Sequence, residues 1–448
     1  MAATPSTVAE LIESRPIGRL QVQLIVLCGL AVLLDGADTI AIGLVGPGMA
    51  HTVGIPIAAL GSVFSAGQFG FMFGALIFGP FGDRLGRKPV LVSAVATFGL
   101  ATILTTAARA VSVLVALRFL TGLGLGAAAP VALALVAEYM PARVRATTVA
   151  LSWATFPAGG VVIGLASAVL LAHGWQLLFL LMGGASAVVA LLLLVAVPES
   201  LSFLVATRAE PRRVARILSR LGLAGAAAPQ LVATELKVTR VPVRELFTEG
   251  RALRTLLLWG AFFGSYLPLV FVTNWSPTIL HQHGLSPAQI GLAITLNSLG
   301  SAVGSGTIGQ AMDRLGSYVT VLVALCCAVA SLVGLGLAVA GFAGATIAIT
   351  AAGMFAGAGQ TGIITLGSLL HPTPIRSTAV GWAMAVGRLG AAVGPLLGGV
   401  MIGAAWGPVQ VYGAVAAFPA AAFVFLALIR AFTQAGLPRE VPVTELAH

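Results

Sequence analysis

The chain alternates between apolar runs and short polar breaks where charge, proline and glycine collect. The runs are about 20 residues long, the length a helix needs to cross a hydrocarbon core of ~30 Å. Backbone polar groups in lipid must be satisfied internally, so each run is predicted to be a helix. After a tail over 1–21, the runs fall at about Val22–Met49, Ala58–Phe81, 90–108, Val111–Glu138, 146–170 and 175–197. Polar character rises over 198–253, and six more runs follow at about 254–280, 288–311, 319–340, 343–370, 376–402 and 409–432, with a tail over 433–448. The expectation is an all-α integral membrane protein of twelve transmembrane helices, in halves spanning 22–197 and 254–432, joined by the 198–253 linker. The linker is basic, with Arg212, Arg213, Arg216 and Arg220 on a short amphipathic stretch that reads as a solvated helix touching lipid headgroups.

The first run breaks its own pattern. Asp35 and Asp38 sit inside it, three residues apart and therefore on one helix face. At ~1.5 Å per residue, Asp35 lies roughly 20 Å from the start of the run, near mid-membrane. A carboxylate there costs about 2.5–3.5 kcal/mol on insertion scales, so this face must look toward water, a cation or a substrate.

Composition agrees with the pattern: 58% of residues are hydrophobic, 8% are charged and mean hydropathy is +1.03. The 55 glycines suit helices that approach closely in a membrane. A net charge of +10 raises nucleic acid as a partner, but the distribution argues against it. Outside the tails and the loops of one side, the Lys and Arg residues are Arg109, Arg118 and Arg388. This asymmetry places both termini in the cytoplasm. Cys28, Cys326 and Cys327 lie in apolar runs and read as packing, not redox chemistry. The first apolar run is too long for a cleavable signal. His281 and His283, two apart, fall on different helix faces, so no metal site is expected. No paired Ser/His/Asp set, metal cluster or phosphate loop appears, so neither an enzyme nor a cofactor is expected.

The halves repeat. Asp83-Arg84-Leu85-Gly86 returns as Asp313-Arg314-Leu315-Gly316, and Pro141-Ala142-Arg143-Val144-Arg145-Ala146-Thr147 returns, at nearly the same offset, as Pro372-Thr373-Pro374-Ile375-Arg376-Ser377-Thr378. Parallel six-helix repeats with a substrate site between them at mid-membrane describe major facilitator transporters. Gly82-Asp83-Arg84-Leu85-Gly86-Arg87-Lys88 resembles that superfamily's signature between helices 2 and 3. More narrowly, Asp35-Gly36-Ala37-Asp38-Thr39, Asn274-Trp275-Ser276-Pro277, and Ile375 to Trp382 followed by Gly387-Arg388-Leu389-Gly390 and Gly394-Pro395 resemble the aromatic acid:proton symporter family. The chain departs from that family at Ala37, where an aromatic residue is common, and at His371, expected at the cytoplasmic surface, where Tyr is common.

The resemblance implies a proton-driven importer of a small aromatic carboxylate in a bacterial inner membrane, a monomer with membrane lipids as its surroundings. Asp35 and Asp38 are the proton-coupling candidates. Arg388, a lone cation in helix 11, suits a carboxylate because guanidinium binds it bidentately. Arg118 either pairs with Asp35 or Asp38 or touches substrate. Glu138 either relays protons or latches against Arg143 or Arg145. Asn274 either hydrogen-bonds substrate or satisfies backbone freed by Pro277. Trp275 is either an interface anchor or a stacking platform. Asp83, Arg84, Arg87, Lys88, Asp313 and Arg314 are gating candidates that trade partners between two packings of the halves. The competing reading is a proton antiporter exporting a drug or metabolite. It is weakened because helix 5 reads Phe156-Pro157-Ala158-Gly159-Gly160 and lacks the exporters' Gly-Pro signature.

Overall fold

The structure, a computed structural model, describes residues 12–13, 17–207, 210–221, 243–248, 251–371 and 373–436. Its frame is twelve long helices: α1 (Arg19–Val53), α2 (Leu60–Leu85), α3 (Arg87–Thr105), α4 (Val111–Tyr139), α5 (Ala142–Leu170), α6 (Trp175–Ala196), α7 (Ala252–Gln282), α8 (Pro287–Leu315), α9 (Ser317–Ala338), α10 (Phe342–Leu369), α11 (Thr373–Gly403) and α12 (Pro408–Gly436). Eleven are long and apolar enough to cross a membrane by length and composition. The remaining one, α8, carries Thr295, Asn297, Ser298, Ser301 and Ser305. Its polarity is absorbed inside the bundle. Thr295 and Ser298 hydroxyls donate to carbonyls of their own helix, and Asn297 Nδ2 donates to the Ile349 carbonyl of α10 at 2.7 Å.

The charged turn expected between helices 2 and 3 is shorter than the sequence suggested. Helix continues through Asp83-Arg84-Leu85 and breaks only at Gly86, where φ is 97° and ψ 150°. The second copy does the same at Gly316, with φ 88° and ψ 137°. Left-handed φ is cheap only for glycine, so the repeated motif ends in the residue that makes a one-residue corner possible. The loop after α4 contracts likewise: α5 begins at Ala142, directly after Pro141.

Within the first half α2 packs on α4, α1 on α5 and α3 on α4 and α6. The second half repeats this with α8 on α10, α7 on α11 and α9 on α10 and α12. The face bearing Arg84, Arg87, Lys88, Arg143 and Arg145 is hereafter the basic face. Against it the short helix Leu201–Ala206 and the helix Pro211–Arg220 fold back, burying Leu201, Leu204, Val214, Ile217 and Leu218 in the first half's core. Arg212, Arg213, Arg216 and Arg220 stay exposed.

The halves meet along three seams, α1 with α7, α2 with α11 and α5 with α8. Each seam is made by the ends remote from the basic face. Ser65 Oγ donates to the Ala392 carbonyl at 2.6 Å, Gly61 faces Gly399, Gly43 faces the Thr273–Asn274 backbone, and Gly164 faces Gly291 and Thr295. These small residues let backbones touch where a longer side chain would hold the helices apart. The seams close the face opposite the basic one.

Candidate functional site at the centre of the bundle

Helix α1 carries Asp35 and Asp38 one turn apart. Its rotation is fixed by glycine contacts with α5: a methyl group at Gly36 would overlap the Phe156 carbonyl, and one at Gly159 would overlap that of Leu33. Ala37 is buried, its backbone against Gly159. With that face locked, both acids point into the bundle, and both are buried.

The two acids then diverge. Asp38 forms a fork with Arg118 of α4, Oδ2 accepting from Nη2 at 2.7 Å and Oδ1 from Nη1 at 3.4 Å. Thr102 of α3 donates to the same Oδ1 at 2.9 Å. Charge-assisted hydrogen bonds of this kind offset the loss of water around both ions. The Arg118 guanidinium also lies 5.8 Å from the Phe179 ring centroid. Of the two sequence readings for Arg118, pairing is the arrangement observed. Asp35 has neither carboxyl oxygen hydrogen-bonded among the described residues. The Thr39 hydroxyl neighbours it, and the charges that face it are Arg388 and Asp38.

Arg388 reaches this centre from the other half. It is half-buried, and its Cζ sits 4.1 Å above the centroid of Phe71 in α2 and 5.5 Å from that of Tyr266 in α7. Both contacts are within cation–π range. No carboxylate among the described residues lies within ion-pair distance of it. Gly387 makes room for the Tyr266 ring, since a side chain there would strike it.

Asn274 and Trp275 lie further from the basic face. Asn274 is fully buried at the α1–α7 seam, and neither side-chain amide atom has a hydrogen-bond partner among the described residues. Trp275 is also fully buried. Its Nε1–H donates to the Pro395 carbonyl of α11 at 3.0 Å, and its ring meets Phe64 of α2 edge-on at 5.3 Å. In this conformation Trp275 joins three helices and touches neither lipid nor the Arg388 centre.

On the basic face Glu138 takes Arg87 as its ionic partner at 3.1 Å, where the sequence had suggested Arg143 or Arg145. Its other oxygen accepts from Ser200 Oγ at 2.9 Å and Ser202 N at 2.7 Å. Glu199 caps α3 from outside the helix, accepting from the backbone N–H groups of Arg87 at 2.8 Å and Lys88 at 3.1 Å. Arg84 is exposed, and so are Asp313 and Arg314 at the end of α8. Asp83 lies in the last turn of α2, and its side chain is outside the described set. His371 is buried, not at the surface, with Nδ1 3.1 Å from the Gly367 carbonyl.

The sequence reading missed Phe71, Tyr266, Thr102 and Glu199. Tyr266 carried a usable signal, as one of only 4 tyrosines, inside an apolar run. Phe71 and Thr102 carried none, because phenylalanine and threonine are ordinary in such helices.

Two repeated six-helix halves, the first holding a buried ion pair, define a transporter frame, and the chain belongs to the Major Facilitator Superfamily, whose profile matches residues 27–279 and 257–446. Among its relatives are the gallate transporter of Pseudomonas putida, 35% identical over 89% of both chains, and the 4-hydroxybenzoate transporter PcaK of the same organism, 34% identical over 90% of this chain and 91% of that one. The 3-(3-hydroxy-phenyl)propionate transporter of Escherichia coli is 35% identical over 87% of this chain and 89% of that one. The fold is similar to an inward-open structure of the xylose transporter XylE from E. coli, with a TM-score of 0.72 at 18% identity over 91% of this chain and 96% of that one.

Proposed function

We propose that this protein imports a small aromatic carboxylate together with protons across a bacterial inner membrane, by alternating access, with the basic face and both termini in the cytoplasm. The relatives whose names specify gallate, 4-hydroxybenzoate and a hydroxyphenylpropionate support the substrate class. The Lys/Arg asymmetry supports the orientation.

One observation carries the reading. Among the described residues, Arg388 stands at the centre with two aromatic rings and no ion-paired carboxylate, facing an Asp35 with neither carboxyl oxygen hydrogen-bonded. A substrate carboxylate fits the guanidinium as a bidentate partner, and Phe71 and Tyr266 hold that guanidinium in place through their faces. Substrate and Asp35 then compete for one cation. When substrate holds Arg388, Asp35 loses its counter-charge and a proton neutralises it, which couples the two ligands through a shared electrostatic partner. Asp38, already satisfied by Arg118 and Thr102, stays a fixed pair, so Asp35 is the proton carrier. An anion entering a negative-inside cell works against about 2.3 kcal/mol per charge per 100 mV, so uptake is electrically favourable only with more than one proton.

The other candidates take supporting roles. Asn274 has its amide free at a seam that parts when the opposite face opens, and there it meets the passing substrate. Trp275 fixes α11, and so Arg388, relative to α7. Arg87, Glu138 and Glu199 hold α3, α4 and the 199–202 segment together as one gate element on the basic face. The test is uptake of labelled protocatechuate, benzoate and 4-hydroxybenzoate by cells expressing the chain, with and without a protonophore. Protonophore-sensitive uptake lost in Arg388→Ala supports the reading. No uptake of any of the three, with the protein present in the membrane, or accumulation below the empty-vector control, overturns it.

A further inference from the structure

The face opposite the basic one has an unusual charge inventory. It is formed by the helix ends and turns at 50–59, 105–111, 170–176, 281–288, 338–343 and 403–409, and these segments contain no Asp or Glu. They hold Arg109 and four of the chain's 6 histidines: His51, His173, His281 and His283. A surface of this kind presents basic side chains with no built-in anions beside them, which suits an incoming anion.

Two of these histidines line a cavity. It has a volume of about 370 Å³ and lies across the seam between the halves. The first half supplies His51 and Thr52 at the end of α1 and Trp175 and Gln176 at the start of α6. The second half supplies His281 near the end of α7. The volume is at the small end of the ~300–1,000 Å³ range of small-molecule sites. Its wall is built, not accidental. Trp175 is buried, packs on Gly48, donates from Nε1 to Thr52 Oγ1 at 3.1 Å, and meets Phe179 edge-on at 5.8 Å. The cavity floor includes Leu44 and Val45. Leu44 is six residues beyond Asp38 on α1, so at ~1.5 Å per residue the floor lies roughly 9 Å along the axis from the central ion pair.

We infer that this cavity is a second, outer binding site for a single-ring carboxylate, with His51 and His281 holding the anion and Trp175 beside the ring. The inference rests on the aromatic-acid reading of the central site but uses none of its residues. His51 and His281 are the titratable groups lining the cavity. His173 and His283 flank it, and no acid on any neighbouring segment opposes them. Because the anion is held by one residue from each half, the outer site collects substrate above the closed seam and loses its geometry when the halves part, releasing substrate toward Arg388.

The experiment uses the full chain. Uptake kinetics with 4-hydroxybenzoate are measured at mildly acidic and at neutral external pH for wild type and for a His51→Gln/His281→Gln variant. In parallel, binding of labelled benzoate is measured on purified Arg388→Ala protein with and without those two changes. The outer site predicts that the double variant raises KM several-fold at mildly acidic pH, with maximal rate unchanged. It also predicts that benzoate binding persists in Arg388→Ala and is lost when the histidines are also replaced. Wild-type uptake with a KM indifferent to the histidines, or no histidine-dependent binding in Arg388→Ala, overturns the outer site and leaves the central reading intact. If wild type takes up no aromatic acid, the central reading fails, and the outer site stands or falls on whether benzoate binding depends on His51 and His281.

Discussion

Arg118 Nη2 lies 2.7 Å from Asp38 Oδ2, while Asp35, one turn earlier on the same face of α1, has no hydrogen bond to either carboxyl oxygen among the described residues. The two acids share a helix and a depth in the bundle, yet only Asp38 has its charge met by a fixed pair. This asymmetry makes opposite stability predictions for them.

Removing one member of the Asp38–Arg118 pair strands the other in a buried site, which typically costs about 3–5 kcal/mol. Asp38→Ala and Arg118→Ala should each lower the thermal midpoint in detergent markedly. The double variant Asp38→Ala/Arg118→Ala should lose less than the sum, because neither charge is then stranded. Additive losses measured in this cycle would contradict the pairing.

Asp35→Asn should behave differently. No ion pair or hydrogen bond among the described residues is broken, so the thermal midpoint should hold or rise. Uptake should nonetheless lose its dependence on the proton gradient, or stop. A variant that is destabilised as strongly as Asp38→Ala would show that Asp35 is structural.

The glycines separate packing within a half from packing between halves. Gly36→Ala puts a methyl group into the Phe156 carbonyl inside the first half, and overpacking there should cost about 1–3 kcal/mol or more. Gly43→Ala drives the same methyl group into the Thr273 carbonyl across the seam, where the halves can part. It should leave the midpoint nearly unchanged and shift the population toward the state open on the far face. In a cysteine-free background, Thr278→Cys, fully buried against Gly46 at the same seam, should then react several-fold faster with an impermeant maleimide.

Glu199 supplies the first turn of α3 with a carboxylate cap from another segment. Glu199→Ala should cost about 0.5–2 kcal/mol of stability, and Glu199→Gln less, since the amide oxygen still accepts. Equal losses in the two variants, read by thermal unfolding, would remove the capping account.

His371, between α10 and α11, has its imidazole pushed below the ordinary histidine range by burial, with the nearby Arg254 and Arg251 charges acting in the same direction against a hydrogen bond to the Gly367 carbonyl. The folded protein therefore prefers the neutral ring, and this stabilisation is full above the ordinary histidine value of about 6.5. It is lost as pH falls through the lowered folded value. As pH falls from about 6.5 toward that lowered value, the wild-type midpoint should drop more steeply than that of His371→Gln.

The sequence by itself determined the parts that depend on spacing along one chain. Run length and hydropathy gave twelve helices. The repeated Asp-Arg-Leu-Gly gave two halves, and the i, i+3 spacing of Asp35 and Asp38 gave a single acidic face. Tertiary structure decided everything that depends on which helix lies opposite. Spacing cannot say that Gly36 and Gly159 lock the rotation of α1, that Arg118 reaches Asp38 and not Asp35, or that Arg388 arrives between Phe71 and Tyr266 from the other half. Nor can it say that Glu138 meets Arg87. The physical reason is that a side chain's position on its own helix is fixed by the backbone period, whereas its partner is fixed by the rotation and approach of a second helix. In this protein those are set by where backbones touch at glycine.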